Sequence, residues 1–204
     1  MTMLRPLALC ALILLPGCSA LSALSSATEV LDVYELRAPD NIAEAPRRSR
    51  LNVTVEEPTT TGALLTDRIM IKPSDLEAQY LPGARWGEEV PVMVQSLMLR
   101  ALQATDGLAY VGREPLGLSG DVAIVSDIID FQAREVPEAE AAIVTLRVSV
   151  QLVREQDVAI LASRTFVAEA QSAGLENAQI VAAFDQASDA LLVEFADWVV
   201  GGLR

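Results

Sequence analysis

The residues best equipped for covalent chemistry are two cysteines, Cys10 and Cys18, and both fall within the first 18 positions. A thiol becomes a nucleophile, a metal ligand or half of a disulfide only with a base, an ion or a second thiol beside it. The chain has no histidine. That removes Ser/His and Cys/His catalysis and the commonest metal ligand. No disulfide framework or cysteine metal site can be built beyond residue 18. The carboxylate pairs Glu56-Glu57 and Glu88-Glu89 read as solvated, since nothing in the sequence sets either as an acid/base couple. Gly117-Leu118-Ser119-Gly120 lacks the spacing of a nucleophile elbow and has no histidine to activate Ser119, so it reads as a loop. What remains is Leu15-Pro16-Gly17-Cys18, an aliphatic residue and two small ones before a thiol.

The segment in front of that thiol gives it a meaning. Arg5 supplies one positive charge, and Leu7 to Leu15 is an apolar run. A helix needs roughly 20 apolar residues to span a bilayer, and this run is far shorter, as in the apolar part of an export signal. Leu15-Pro16-Gly17-Cys18 resembles the lipobox of bacterial lipoproteins, with Pro16 in place of the usual Ala or Ser. The resemblance implies cleavage between Gly17 and Cys18 and acylation of the Cys18 sulfur, palmitate included. The competing reading is an ordinary secreted protein cut within Ala20 to Ala23, with Cys18 discarded. Acyl chains contribute roughly 0.8 kcal/mol per buried methylene, so a multiply acylated cysteine is a durable anchor. In similar lipoproteins an aspartate after the cysteine favours the inner membrane. Ser19 therefore points to the periplasmic face of the outer membrane. Residues 19 to 29 read as a tether of small and polar residues, about 35 Å long when extended.

Composition limits the partners. The chain has 204 residues, 51% of them hydrophobic, and a formal net charge of −13. Length and composition fit one globular domain with a real core. Lys72 is the only lysine and there is no basic run, so phosphate backbones and anionic lipids are repelled and no nucleic-acid partner is expected.

The elements that must carry any function follow from periodicity. Leu51, Val53 and Val55 alternate with polar residues, as do Val144, Leu146, Val148, Val150 and Leu152, and both segments predict half-buried strands. A first strand is expected over Leu31 to Arg37, and a short one over Arg68 to Lys72, stopped by Pro73. Asp121 to Arg134 is apolar on both faces and reads as a central strand. Val158 to Ala168 completes a meander whose turns contain Pro137-Glu138-Ala139-Glu140 and Glu155-Gln156-Asp157. Val90, Val94, Leu97, Ala101 and Leu102 share a helix face, with Pro91 in the first turn. A second helix is expected from about Glu176 to Val200, with Ile180, Phe184, Ala187, Leu191, Phe195 and Trp198 on one stripe. The predicted architecture is α+β: a two-layer sandwich, a mostly antiparallel sheet with two helices packed on one face. It occupies residues 30–204 as one domain, behind a signal peptide at 1–17 and a lipidated tether at 18–29. Tyr80 and Trp86 fall in the strand-to-helix loop and read as lids on the core. Asp67-Arg68 reads as a local structural pair, and Trp198 as core, with an interfacial role as its alternative.

From Tyr34 onward the order of landmarks resembles the auxiliary lipoprotein component of ABC-type transport systems, the small lipoproteins encoded beside MCE-type lipid transporters. The landmarks are Tyr34-Glu35-Leu36, Leu51-Asn52-Val53, Thr66-Asp67-Arg68-Ile69, Tyr80, and Trp86 shortly before Pro91 and its helix. Arg164-Thr165-Phe166 and a long terminal helix follow. The resemblance implies a non-enzymatic accessory of intermembrane lipid transport, without a cofactor, that docks on a periplasmic MCE-domain partner. The ATPase and permease would be separate chains, because this one has no phosphate-binding glycine loop and no spanning helix. Candidate docking edges are the first strand around Tyr34 and the last around Phe166. A second reading is an assembly lipoprotein for lipopolysaccharide export or outer-membrane protein insertion. A third, a hydrolase using carboxylates alone, lacks both nucleophile and base.

Overall fold

Alternation of apolar and polar residues over long stretches produces the centre of the molecule, which we describe from a computed structural model covering residues 30–204 apart from Asp75, Leu118 and Arg204. The strands are β1 (Asp32–Tyr34), β2 (Asn52–Val55), β3 (Thr59–Thr60), β4 (Arg68–Ser74), β5 (Glu77–Trp86), β6 (Tyr110–Gly112), β7 (Val122–Val136), β8 (Ala141–Arg154) and β9 (Ala159–Gln171). The helices are α1 (Val90–Ala104) and α2 (Asn177–Gly202), with a 3-10 turn at Pro137–Ala139. The contacts divide the chain into Met1–Leu31, almost wholly outside the described residues, and Asp32–Arg204, the unit that follows.

β7, β8 and β9 form the expected antiparallel meander. On β8, Val144, Leu146, Val148, Val150 and Leu152 are all buried against the helices while Arg147 is exposed. β7 meets β8 with one extra residue between Ile128 and Asp130. That bulge switches the inward set from Val122, Ile124 and Ile128 to Phe131 and Ala133, so the core face stays continuous. The expectation that β7 is apolar on both faces is corrected in its middle, because Ile129 belongs to the bulge and is 43% exposed.

The sheet has nine strands and is mixed, which corrects the expectation of a mostly antiparallel one. β1 runs parallel to β5, β2 parallel to both β6 and β7, and β3 and β4 parallel to β7. One edge of β7 is shared: its first half takes β2 and β3, and Ala133 further along takes Ile71 of β4. The sheet branches there and curls toward half a barrel. Parallel neighbours require crossovers rather than tight turns. Here α1 and the long irregular segment between β1 and β2 supply them, and neither has a local signal of pairing direction.

β4 continues through Pro73 to Ser74 instead of stopping before it, and β5, which turns back at Glu77, was not anticipated. Pro82 and Gly83 mask β5 in the sequence. Between Met70↔Tyr80 and Arg68↔Arg85 the register slips, and Gly83 takes φ +70° in that slip. Tyr80 and Trp86 are therefore strand residues, not loop residues.

Both helices lie on one face of the sheet, as predicted. Glu89 precedes the first turn of α1 and Pro91 sits within that turn. Glu176 caps α2 through a reciprocal capping box with Gln179. Two aromatic groups join the layers. Trp86, Phe131 and Phe184 have centroids 5.2–6.1 Å apart, and Phe166 meets Phe195 and Trp198 edge-on at 5.9 and 5.5 Å. Trp86, Phe166, Phe184 and Phe195 are fully buried.

Candidate interaction surfaces

The functional residues expected from the sequence divide into three groups. Gly17 and Cys18 lie outside the described residues, as do the signal segment and the tether. Glu56, Glu57, Glu88 and Glu89 are exposed, in keeping with solvated pairs. Tyr34 and Phe166 lie on strands that each have one neighbour among the described residues.

The two edges differ. β1 is three residues long, and the Tyr34 carbonyl accepts from the Gly87 N–H at 2.9 Å just past its end. A shallow cleft of about 100 Å³ follows, lined by Glu35, Leu36, Gly87, Met93, Ser96 and Arg100. β9 offers a thirteen-residue edge. The Phe166 side chain itself is core, so only its backbone is available at that edge. Beside it Arg164 stands over the Phe166 ring at 4.9 Å and pairs with Glu194 of α2. The start of β9 was missed as a surface. Ile160 and Leu161 are 61% and 42% exposed, and the register slips between them and Leu152–Val153. The legible signal was Val158-Ala159-Ile160-Leu161, an unbroken apolar run where a half-buried strand should alternate.

An open groove of about 570 Å³ adjoins Leu161 at the α2 C-terminal end of the sandwich, with Leu51, Val122 and Leu203 in its wall. Its polar rim is already engaged: Asp121 Oδ2 accepts from the Asn52 N–H at 2.7 Å, and Arg154 holds Asp157 through two bonds of 2.9 and 3.0 Å.

The interior offers little space. Between the helices and the sheet lies an apolar cavity of about 20 Å³, bordered by Leu97, Met98, Val148, Leu191 and Phe195. Small-molecule pockets occupy about 300–1,000 Å³, so this space does not house an acyl chain. Among the described residues no group of three Asp, Glu, Cys or His side chains converges as a metal site.

Other polar contacts are structural. Asp67 pairs with Arg85 at 3.1 Å, while Arg68 lies over the Tyr80 ring at 5.6 Å, so these neighbours face apart. Tyr80 is 38% exposed and donates its hydroxyl to the Ala63 carbonyl, whereas Trp86 is core. Only Trp86 behaves as the lid reading expected. On α2, Arg37 holds Asp185 at 2.9 Å. Partial burial, followed by repulsion from Asp185, pushes the Asp189 carboxyl above its ordinary range, with Arg37 opposing and Asp40 adding to the repulsion.

These features define an α+β domain whose polar groups are spread over its surfaces and whose longest strand edge is open. The chain belongs to the family of ABC-type transport auxiliary lipoprotein components, whose model matches residues 34–196. Among curated relatives, an uncharacterized protein of Bradyrhizobium diazoefficiens is 25% identical over 171 residues, covering 82% of this chain but 44% of that protein. The chain thus spans less than half the length of the curated relative it matches. Among solved structures, a Xanthomonas campestris protein superposes with a TM-score of 0.75 at 22% identity, over 84% of this chain and 96% of its own. A second uncharacterized protein gives 0.65 at 16% identity, over 83% and 99%. At these identities the likeness is one of fold. No helix among the described residues is long and apolar enough to cross a membrane, which leaves β-barrels unaddressed.

Proposed function

We propose that this chain is a lipid-anchored, non-enzymatic accessory of an ABC-type intermembrane lipid transport system, docking on the periplasmic MCE-domain component. The observation that carries the reading is the family match across residues 34–196. The lipobox-like Leu15-Pro16-Gly17-Cys18 supports attachment through Cys18, and Ser19 supports the periplasmic face of the outer membrane. A core cavity of about 20 Å³ supports action at a surface rather than carriage of lipid inside the fold. A tethered domain gains its effect by proximity, because confinement to a thin layer raises its effective concentration near a periplasmic partner.

The detergent-extracted protein is expected to copurify with the MCE-domain protein, and deletion of either gene to give the same outer-membrane permeability defect. Consistent recovery of a lipopolysaccharide-export or outer-membrane insertion complex, with no MCE-domain protein, overturns the reading in favour of an assembly lipoprotein.

A further inference from the structure

We propose that the outer edge of β9 is the docking element, and that it receives an extended, basic strand of the partner whose apolar side chain seats in the groove beside Leu161. The inference rests on the accessory reading above and assigns the surface that performs it.

An edge strand directs the N–H and C=O groups of alternate residues away from its neighbour, and only an extended backbone satisfies such a row. Soluble proteins protect their edges by shortness, lysine, proline or bulges. The other free edges among the described residues are protected by shortness, since β1 and β6 have three residues each and β3 has two. β9 has thirteen residues, no proline and no lysine. Its one arginine is already taken by Glu194, and its one register slip lies at the end, by Leu161. Ile160 and Val167 remain 61% and 49% exposed on this strand.

The occupant's chemistry follows from what surrounds the edge. In strand addition, backbone bonds give affinity and pockets for side chains give specificity. The groove of about 570 Å³ begins at Leu161, with Leu51, Val122 and Leu203 on one part of its wall and Ser119, Asp121, Arg154 and Gln156 on the rest. The aliphatic part beside Leu161 therefore offers an apolar side chain a seat at one end of the added strand. Charge sets the rest. Glu169 on β9 and Glu194 on α2, the partner of Arg164, are exposed at this edge, and the whole chain carries −13. Arg164 offsets only Glu194. A strand bearing Lys or Arg is attracted here and an acidic one is repelled, with binding that weakens as salt rises.

In-cell photo-crosslinking of the full lipidated chain tests this. A photoreactive residue is placed at Ile160 or Val167 on β9, at Val33 on β1, or at Gln186 on the outer face of α2. The expected result is an adduct with the MCE-domain protein from Ile160 and Val167, and its loss from Val33 and Gln186. Leu161→Lys and, separately, Val167→Lys should reduce that adduct while leaving the melting temperature unchanged. MCE adducts from Val33 or Gln186 and none from β9 overturn the edge assignment but keep the accessory reading. β9 adducts with a different envelope protein that Leu161→Lys removes keep the edge and overturn the MCE partner. Adducts between two copies of this chain, or none at any position, overturn the proposal.

Discussion

Val158 takes φ +56°, an unfavourable conformation for a β-branched side chain, in the turn between β8 and β9. The Arg154–Asp157 pair holds that turn. A non-glycine residue there costs about 1–2 kcal/mol, and glycine returns part of that through its greater unfolded freedom. Val158→Gly should therefore stabilise the domain by about 0.5–1 kcal/mol, read as a rise of about 1–4 °C in melting temperature. Asp189 gives a pH-dependent expectation of definite sign. Its folded pKa is raised, so between the unfolded and folded values the native state holds the proton more tightly, and stability falls as pH rises through that window. At neutral pH the ionised group opposes folding. Asp189→Asn should raise the melting temperature at pH 7 and leave it little changed at pH 3, where the carboxyl is protonated in both states. Equal shifts at both pH values would refute the electrostatic cause.

At the scale of elements, α2 carries the clearest energetic claim. Phe184 is fully buried and touches both Trp86 and Phe131, so Phe184→Ala removes a contact between three elements. The expected cost is about 3–5 kcal/mol, a large part of a typical domain's total. Glu176→Ala at the α2 cap should cost about 1 kcal/mol, because it removes a capping box at an exposed end. Thermal melts of the two variants side by side check the ranking, and equal melting temperatures for Phe184→Ala and the unaltered chain would sink it. The elements differ in how legible they were. The helices were readable because Ile180, Phe184, Ala187, Leu191 and Phe195 repeat with the helical period. β5 was not, because its strand character depends on β4 and β1 pairing with a segment that contains Pro82 and Gly83.

At the scale of the whole molecule, the segment read as a tether joins the described domain to Cys18, the proposed site of anchorage. Cys18→Ser is expected to leave an unprocessed precursor or a soluble periplasmic protein, with palmitate labelling lost. Continued labelling and membrane fractionation of the Cys18→Ser protein would refute anchorage at that thiol.

By itself the sequence determined the α+β class, the meander, both helices and their buried stripes, since these arise from periodicity within a segment. It also supported the family resemblance, because Tyr34, Trp86 and Phe166 occur in the right order along the chain. Tertiary structure alone decided the parallel pairings, the branch at β7 and the bulge at Ile129, because pairing direction and register depend on partners distant in the chain. It also decided which edge is long and open. Tyr34 and Phe166 looked alike as edge candidates in the sequence. A three-residue β1 and a thirteen-residue β9 distinguish them, because an edge extends only as far as its own residues run beside the neighbouring strand: β1 meets only Ala84, Arg85 and Trp86 of the ten-residue β5, whereas β9 pairs along nearly all of β8.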